Sequence, residues 1–536
     1  MAPDRIDRVA REAFGFAELR PGQRQAIEAT LDGRDALVVM STGSGKSAIY
    51  QIAGLLMPGA TVVISPLLAL QREQVEDLRE RAAGGAAALS SAVSAAERET
   101  ALAELAEDAL EFVFLAPEQL AKEDVLAELV VARPSLLVVD EAHCISEWGH
   151  DFRPDYLRLG AAIEALGRPT VLALTATAAP PVREEIVERL GLRDPVEVIR
   201  GFDRPNIRLR VDRHHDEDRK LRALREYVAA APPPGIVYVA TRRGAEELAA
   251  ALCDEGLRAA SYHAGMRKAE REAAQERFMD DDLDVIVATT AFGMGVDKPN
   301  VRWVVHAEIS ESLDAYYQEV GRAGRDGEPA EAMLFYRTED VGLRRFFAGG
   351  QVDVAEIATV LDAIGDEPIA PAALQEATDL GETRLAVALS RLEEAGAIEQ
   401  RPDGEIAPAP AAPPDREAIE AAAAAEERRK SFDRSRVDMV RGYAETTGCR
   451  RAFVLSYFGE PFEAPCGNCD NCLAGRSEPA PSDVPFAVGA RVAHGAWGEG
   501  VVQRYDEDAM VILFDEAGYR TLALDVVVER SLLRAA

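Results

Sequence analysis

Six cysteines in 536 residues are too few to staple a chain of this length. A disulfide scaffold is therefore excluded, and a reducing, cytosolic compartment is expected. Long apolar runs are missing too. None approaches the ~20 residues of a membrane span, and no N-terminal run resembles a signal peptide. Positive charge is the third scarcity: 60 Lys and Arg stand against 93 Asp and Glu, for a net charge of -33 and a pI near 4.7. A deficit of that size argues against a broad basic face for nucleic acid, although a basic channel can lie inside an acidic shell. Most of the cations are Arg, whose planar fork suits phosphate. Apolar residues, at 48%, are abundant enough for substantial cores, and the length implies roughly three to five domains.

The chain is organised around LLVVDEAHCISEWGHDFRPDY, Leu136 to Tyr156. Four apolar residues ending on Asp140 and Glu141 fit a strand buried on both faces of a parallel sheet. Ligands gather where such strands stop, at the carboxyl edge. The stretch beyond, with Trp148, His150, Phe152, Arg153 and Tyr156, is too polar and too aromatic to continue the strand.

Upstream, Asp35 to Met40 is an apolar strand running into STGSGKS, Ser41 to Ser47. Strand, glycine-containing turn, then helix is the context of a phosphate loop, in which Thr42, Gly43, Ser44 and Gly45 offer backbone N–H groups. Lys46 would neutralise the outer phosphates and Ser47 would reach Mg²⁺. The first glycine of the common GxxxxGK[ST] pattern is replaced by Met40. Thr61 to Leu70, Phe112 to Leu120 and Val171 to Ala178 each read as strand then polar turn, a βαβ series. Gly84 to Leu110, rich in alanine, reads as helical surface. Asp140 is then a candidate for holding Mg²⁺ and Glu141 for orienting the attacking water.

FGFAELRPGQ, STGSGKS, DEAHCISEWGHDFRPDY, LTATA, YHAG, ATTAFGMGVDKPNVR and YYQEVGRAGRDG together resemble the RecQ family of DNA helicases, within superfamily 2, over about residues 12 to 340. The resemblance implies that Phe16, Arg20 and Gln23 contact adenine, and that His143 links the γ-phosphate to a DNA-facing loop. It implies that Trp148, His150, Phe152 and Arg153 sense single-stranded DNA. Stacking on such aromatics is worth roughly 1–3 kcal/mol per base. In the second αβ segment, Thr289 and Thr290 become candidates for the DNA backbone. Gln318, Arg322 and Arg325 become the second lobe's share of the ATP site, with Arg325 as arginine finger. By spacing alone, the two arginines share one helical face or turn.

Residues 352 to 407 read as three helices and a short hairpin, a winged-helix-like module that is acidic and precedes, rather than follows, the cysteines. Pro402 to Pro414 reads as a linker and Asp415 to Thr447 as helix. Cys449, Cys466, Cys469 and Cys472 supply four thiolates, which suits tetrahedral Zn²⁺, while an iron–sulfur cluster or free thiols also fit. The RecQ resemblance implies structural zinc. Residues 486 to 531 alternate short strands with glycine turns, as a small β-barrel does. They resemble the Tudor-type tail of UvrD-like helicases, with His494 and Trp497 as a candidate contact patch for protein or nucleic acid.

The expected architecture is α/β. Two RecA-like parallel-sheet lobes (1–202 and 203–348) precede a winged-helix-like module (349–408), a helical zinc-binding subdomain (415–475) and an SH3/Tudor-like barrel (484–533). The expected activity is ATP-, Mg²⁺- and Zn²⁺-dependent 3′–5′ unwinding of tailed or forked duplex DNA in recombination and repair, with single-stranded DNA as partner and no membrane. A DNA-stimulated translocase is the alternative, and a non-catalytic DNA-binding scaffold the third reading.

Overall fold

The apolar runs between Ala36 and Arg200 become seven strands: β1 Ala36–Met40, β2 Thr61–Ile64, β3 Ala86–Leu89, β4 Phe112–Leu115, β5 Leu136–Val139, β6 Thr170–Thr175 and β7 Val196–Arg200. They form one all-parallel sheet in the order β3-β4-β2-β5-β6-β1-β7. β1, β2, β4 and β5 are buried at every position, as expected of central strands covered by helices on both faces. This computed structural model describes all residues except 1–2, 82–83, 90–92, 94, 108, 147–151, 294–297, 348–352, 366, 402–404, 461, 478–483 and 507.

One expectation needs correcting here. The alanine-rich stretch read as helical surface contains β3, an edge strand of sequence AAAL whose first two residues and last are buried against its neighbours. Helix begins only at Ala95–Ala106. Alanine favours helix intrinsically, but the unsatisfied edge of β4 outweighs that weak preference.

The chain divides into two units: Met1–Met40, Ser44–Arg200 and Gly350–Lys430 in one, and Ser41–Gly43, Gly201–Gly349 and Ser431–Ala536 in the other. Besides the seven-stranded sheet, the first unit holds helices Val354–Ile364, Pro371–Thr378 and Glu382–Glu394, then the antiparallel pair β14 Ile398–Gln400 and β15 Ile406–Pro408. β15 occupies part of the expected Pro/Ala linker. These helices have their own core, built on Ile357, Val360, Leu374, Leu389 and Leu392.

The second unit contains β8 Ile207–Arg213, β9 Gly235–Tyr238, β10 Ala259–Tyr262, β11 Val285–Ala288, β12 Trp303–His306 and β13 Ala330–Tyr336, all parallel, in the order β10-β11-β9-β12-β13-β8. A helix over Asp415–Glu445 leads to the cysteines. An antiparallel sheet, β16 Arg491–His494, β17 Gly498–Asp506, β18 Ala509–Phe514, β19 Gly518–Ala523 and β20 Leu533–Ala535, follows in the order β19-β18-β17-β16-β20. It packs on the helices before it: Tyr519 stacks on Tyr457 at 5.3 Å, and the Arg504 guanidinium lies 3.5 Å from the Phe453 ring centre. Among the described residues, no helix is long and apolar enough to cross a membrane.

Candidate functional site

β1 ends at Met40, and the backbone turns through Ser41 to Gly45 into the helix Lys46–Gly54. Gly43 and Gly45 have φ of 77° and 81°. A residue with a Cβ pays ~1–2 kcal/mol for that left-handed conformation, so the turn needs glycine there. Met40, standing where the common pattern has glycine, is 2% exposed in the core. Its carbonyl accepts a hydrogen bond from Lys46 Nζ at 2.9 Å. The departure is therefore absorbed by the hydrophobic core, and the lysine stays beneath the loop.

Gln23 is buried, and its amide is committed at both ends. Nε2 donates to the carbonyls of Gly45 at 2.8 Å and Ser44 at 3.3 Å, while Oε1 accepts from the Arg20 backbone N–H at 2.8 Å. The residue expected at the adenine thus also braces the phosphate loop. Phe16 is 37% exposed and stacks on Phe14 with ring centres 5.9 Å apart.

Asp140 and Glu141 leave the carboxyl end of β5 as expected. Because β2 neighbours β5, Ser65 just beyond β2 reaches Asp140 Oδ2 at 3.3 Å. The Tyr156 hydroxyl donates to the Asp140 carbonyl at 2.9 Å, which folds the end of the aromatic-rich stretch back on the acid pair. Burial, and then the Glu141 charge, push the Asp140 carboxyl up to about 6, while Lys46 pulls the other way. Such an acid gains from a divalent cation, which removes both penalties. Glu141 itself has φ 48°, a left-handed kink that ends the strand and starts the turn Ala142–Ile145. His143 is fully buried, its Nδ1 2.9 Å from Thr175 Oγ1 and 3.3 Å from Glu141 Oε2. Thr175 donates on to the Thr177 carbonyl at 3.1 Å, so His143 ties the acid pair to the turn after β6. Spacing could not single out Ser65, nor pair Thr175 with His143; strand order brings both in.

Of the aromatic-rich loop, Trp148 and His150 lie outside the described residues. Phe152 is half-buried and packs against the separate core of the 350–430 helices. Arg153 is also half-buried, and its backbone N–H donates to the Cys144 carbonyl at 2.9 Å.

In the second unit, Gln318 lies on the helix Leu313–Val320, while Arg322 and Arg325 lie beyond its end. The two arginines therefore occupy a turn, not a helical face, and differ in burial: Arg322 is 5% exposed and Arg325 half-buried. Glu319 anchors the helix to β12 through His306 Nε2 at 2.7 Å. Asp314, in the first turn, is buried and accepts from the Tyr457 hydroxyl at 2.5 Å and from Arg436 at 3.4 Å. Thr289 and Thr290 follow the end of β11, half-buried and exposed respectively.

The ligand atoms of Cys449, Cys466, Cys469 and Cys472 all lie within 4.8 Å of one another, and Cys466 and Cys472 Sγ are 3.7 Å apart. Tetrahedral zinc with ~2.3 Å bonds to sulfur sets sulfur atoms roughly 3.8 Å apart, so the four thiolates fit that ion. Around them, Arg450 donates to Asp470 at 2.6 Å, and Asp470 accepts from the Val211 N–H at 3.0 Å. Val211 belongs to β8, an edge strand, so the cysteine-bearing segment caps an otherwise open sheet edge.

Family models match three segments: DEAD/DEAH box helicase over residues 20–186, helicase conserved C-terminal domain over 219–327, and RecQ zinc-binding over 414–473. The last spans all four cysteines, which makes the cluster a zinc-binding region. A Bacillus subtilis protein named probable ATP-dependent DNA helicase RecS is 41% identical over 350 residues, 65% of this chain and 70% of that protein. ATP-dependent DNA helicase RecQ of Haemophilus influenzae is 34% identical over 467 residues, 87% of this chain; the chain spans 63% of that relative's length. Among solved structures, Mycobacterium smegmatis helicase Lhr bound to ssDNA and AMP-PNP aligns with a TM-score of 0.50 at 20% identity, covering 90% of this chain and 67% of that one. At that identity the likeness shows the fold alone, two RecA-like parallel-sheet lobes. Sequence relatives, family models and the four-cysteine cluster agree: the chain belongs to the RecQ family of ATP-dependent DNA helicases.

Proposed function

We propose that the protein uses ATP hydrolysis to move 3′ to 5′ on single-stranded DNA and unwind tailed or forked duplexes in recombination and repair. Lys46 and the N–H groups of Thr42, Gly43, Ser44 and Gly45 hold the phosphates. Asp140 and Ser47 hold Mg²⁺, which supplies charge stabilisation to the transferring phosphoryl group. Glu141 orients the attacking water, and His143 carries its position toward the loop of Trp148, His150, Phe152 and Arg153. Phe16, Arg20 and Gln23 hold adenine. Gln318, Arg322 and Arg325 complete hydrolysis from the other lobe, and Thr289 and Thr290 grip the DNA backbone. The single observation that carries this reading is the half-buried Asp140 at the end of β5, which accepts from Ser65 at 3.3 Å and whose carboxyl is raised by desolvation and then by Glu141 and lowered by Lys46. A structural acid pair capping a turn would not share a field with a phosphate-loop lysine.

The three helices with β14 and β15 act as a winged-helix-like module, and β16 to β20 as a Tudor-like barrel with His494 and Trp497 facing a protein partner. Their rings stack at 4.1 Å. The five parts keep the boundaries 1–202, 203–348, 349–408, 415–475 and 484–533, and the protein works in the cytoplasm on the nucleoid.

One observation favours the second reading, a DNA-stimulated translocase with weak unwinding. Phe152 is packed into the module's core, and residues 353–408 carry thirteen Asp and Glu against three Arg. So acidic a module is a poor wedge for a duplex. A fluorescent forked-duplex assay separates the two: strand release at the rate of ATP turnover supports unwinding, and turnover without release supports translocation. Arg325→Ala should lower DNA-stimulated turnover by about 10³–10⁵. Full turnover in that variant would remove the two-lobe scheme.

A further inference from the structure

Past the end of the helix Leu313–Val320, the backbone carbonyls no longer have intrahelical donors. Arg204, in the segment GFDRPN that leads into β8, supplies donors from outside. Its Nη1 donates to the Gly321 carbonyl at 3.2 Å, and Nη2 donates to the carbonyls of Ala323 and Gly324, each at 2.9 Å. The Asn206 amide also donates to the Gly324 carbonyl, at 2.8 Å, and to the Glu328 carbonyl at 3.0 Å. Arg322 stands among the residues held this way, and Arg325 directly after them. Arg204 is anchored in turn by the cysteine-bearing segment. Arg451 Nη2 donates to the Arg204 carbonyl at 3.0 Å and to the Ile207 carbonyl at 2.8 Å, and Asn468 Nδ2 donates to the Pro205 carbonyl at 3.0 Å. Phe202, fully buried, stacks on Phe458 with ring centres 4.4 Å apart and planes 3° from parallel.

A guanidinium spanning three carbonyls fixes a turn more firmly than separate neutral donors, because its N–H groups share one rigid plane and each bond is charge-assisted. It also places a cation at the negative end of the helix dipole. What it fixes is the backbone from which the Arg322 and Arg325 side chains leave. An arginine that stabilises charge formed only in the transition state depends steeply on position, a displacement of about 1 Å costing ~10²-fold in rate. We propose that Arg204 is a positioning residue for ATP hydrolysis, holding the carbonyls of Gly321, Ala323 and Gly324 so that Arg322 and Arg325 are set for their part in the reaction. The inference rests on the roles proposed above for those two arginines.

Arg204→Met in the full chain keeps an apolar stem and removes these three bonds. ATP turnover is measured with saturating oligo-dT, and nucleotide affinity is measured with ADP alone and with ADP plus aluminium fluoride, which mimics the transferring phosphoryl group. Arg204→Met should lower kcat ~10²-fold and leave KM for ATP within about threefold, because the lost interaction acts in the transition state. ADP affinity should stay parental, while the gain in affinity from aluminium fluoride falls at least ~10-fold. A merely structural role would reduce the number of working sites and leave that gain unchanged in those that remain. A gain that falls by less than ~10-fold would overturn the proposal, whatever happens to turnover. Should Arg204→Met melt below the parent or lose zinc, Arg204→Lys, which keeps the cation but not the planar fork, is judged by the same ratio. Arg325→Ala should show the same loss. If it instead keeps both parental turnover and the parental gain, the two-lobe reading fails, and not merely the assignment of Arg204.

Discussion

Gln23→Glu changes one atom type and separates two jobs. The side chain keeps its size, but the two donor bonds to the Gly45 and Ser44 carbonyls disappear. Each is worth about 1 kcal/mol net, and a carboxylate facing two carbonyls adds repulsion, for a total of roughly 2–3 kcal/mol. Felt as loss of the loop conformation that receives phosphate, this is an affinity loss of roughly 30-fold to about 150-fold. A residue that only reads adenine would weaken ATP and leave a base-free polyphosphate untouched. Competition of tripolyphosphate against ATP hydrolysis therefore discriminates. Loop bracing predicts that the inhibition constants of tripolyphosphate and ADP rise together. Tripolyphosphate inhibition within about twofold of the parent, alongside weakened ATP, would refute the reasoning, since RT ln 2 is far below the lost bonds.

Zinc should be found at one equivalent per chain by elemental analysis, and its removal by chelator should unfold the segment that caps β8, because such sites contribute ~10–16 kcal/mol. Iron at one equivalent would contradict the assignment. Asp314→Ala takes the nearer carboxylate from the Arg436 cation, whose side chain is 6% exposed, leaving Asp433 at 3.8 Å, and should cost about 3 kcal/mol in urea unfolding, the low end for a broken buried pair. Asp314→Asn, which keeps an acceptor for Tyr457, should cost less. Because the Asp140 carboxyl is raised to about 6 and must be charged to hold Mg²⁺, kcat/KM for ATP should fall as pH drops through about 6 and be flat above it. An acid limb above pH 7 would contradict that environment for Asp140.

Much of this was legible in the sequence for a physical reason: central parallel strands must be apolar on both faces, so β1, β2, β4, β5 and β6 announce themselves. The phosphate loop, DEAH and the four cysteines are equally visible, because their chemistry needs fixed neighbours in the chain. β3 was hidden because three alanines signal helix and only the neighbouring strand's edge makes them a strand. The partners of the site were hidden for another reason. Ser65 meets Asp140, and Thr175 meets His143, because β2 and β6 flank β5, an adjacency that no local pattern encodes. Likewise, no spacing rule brings Arg204 to the carbonyls of Gly321, Ala323 and Gly324, or puts Phe152 against the core of helices some two hundred residues later.

ATP turnover of the purified full chain, with and without single-stranded oligonucleotide, tests the central claim most directly. Coupling between a nucleotide site and a DNA site predicts stimulation of about fivefold or more, abolished with Lys46→Ala. Hydrolysis that proceeds at the same rate whether or not DNA is present would contradict it.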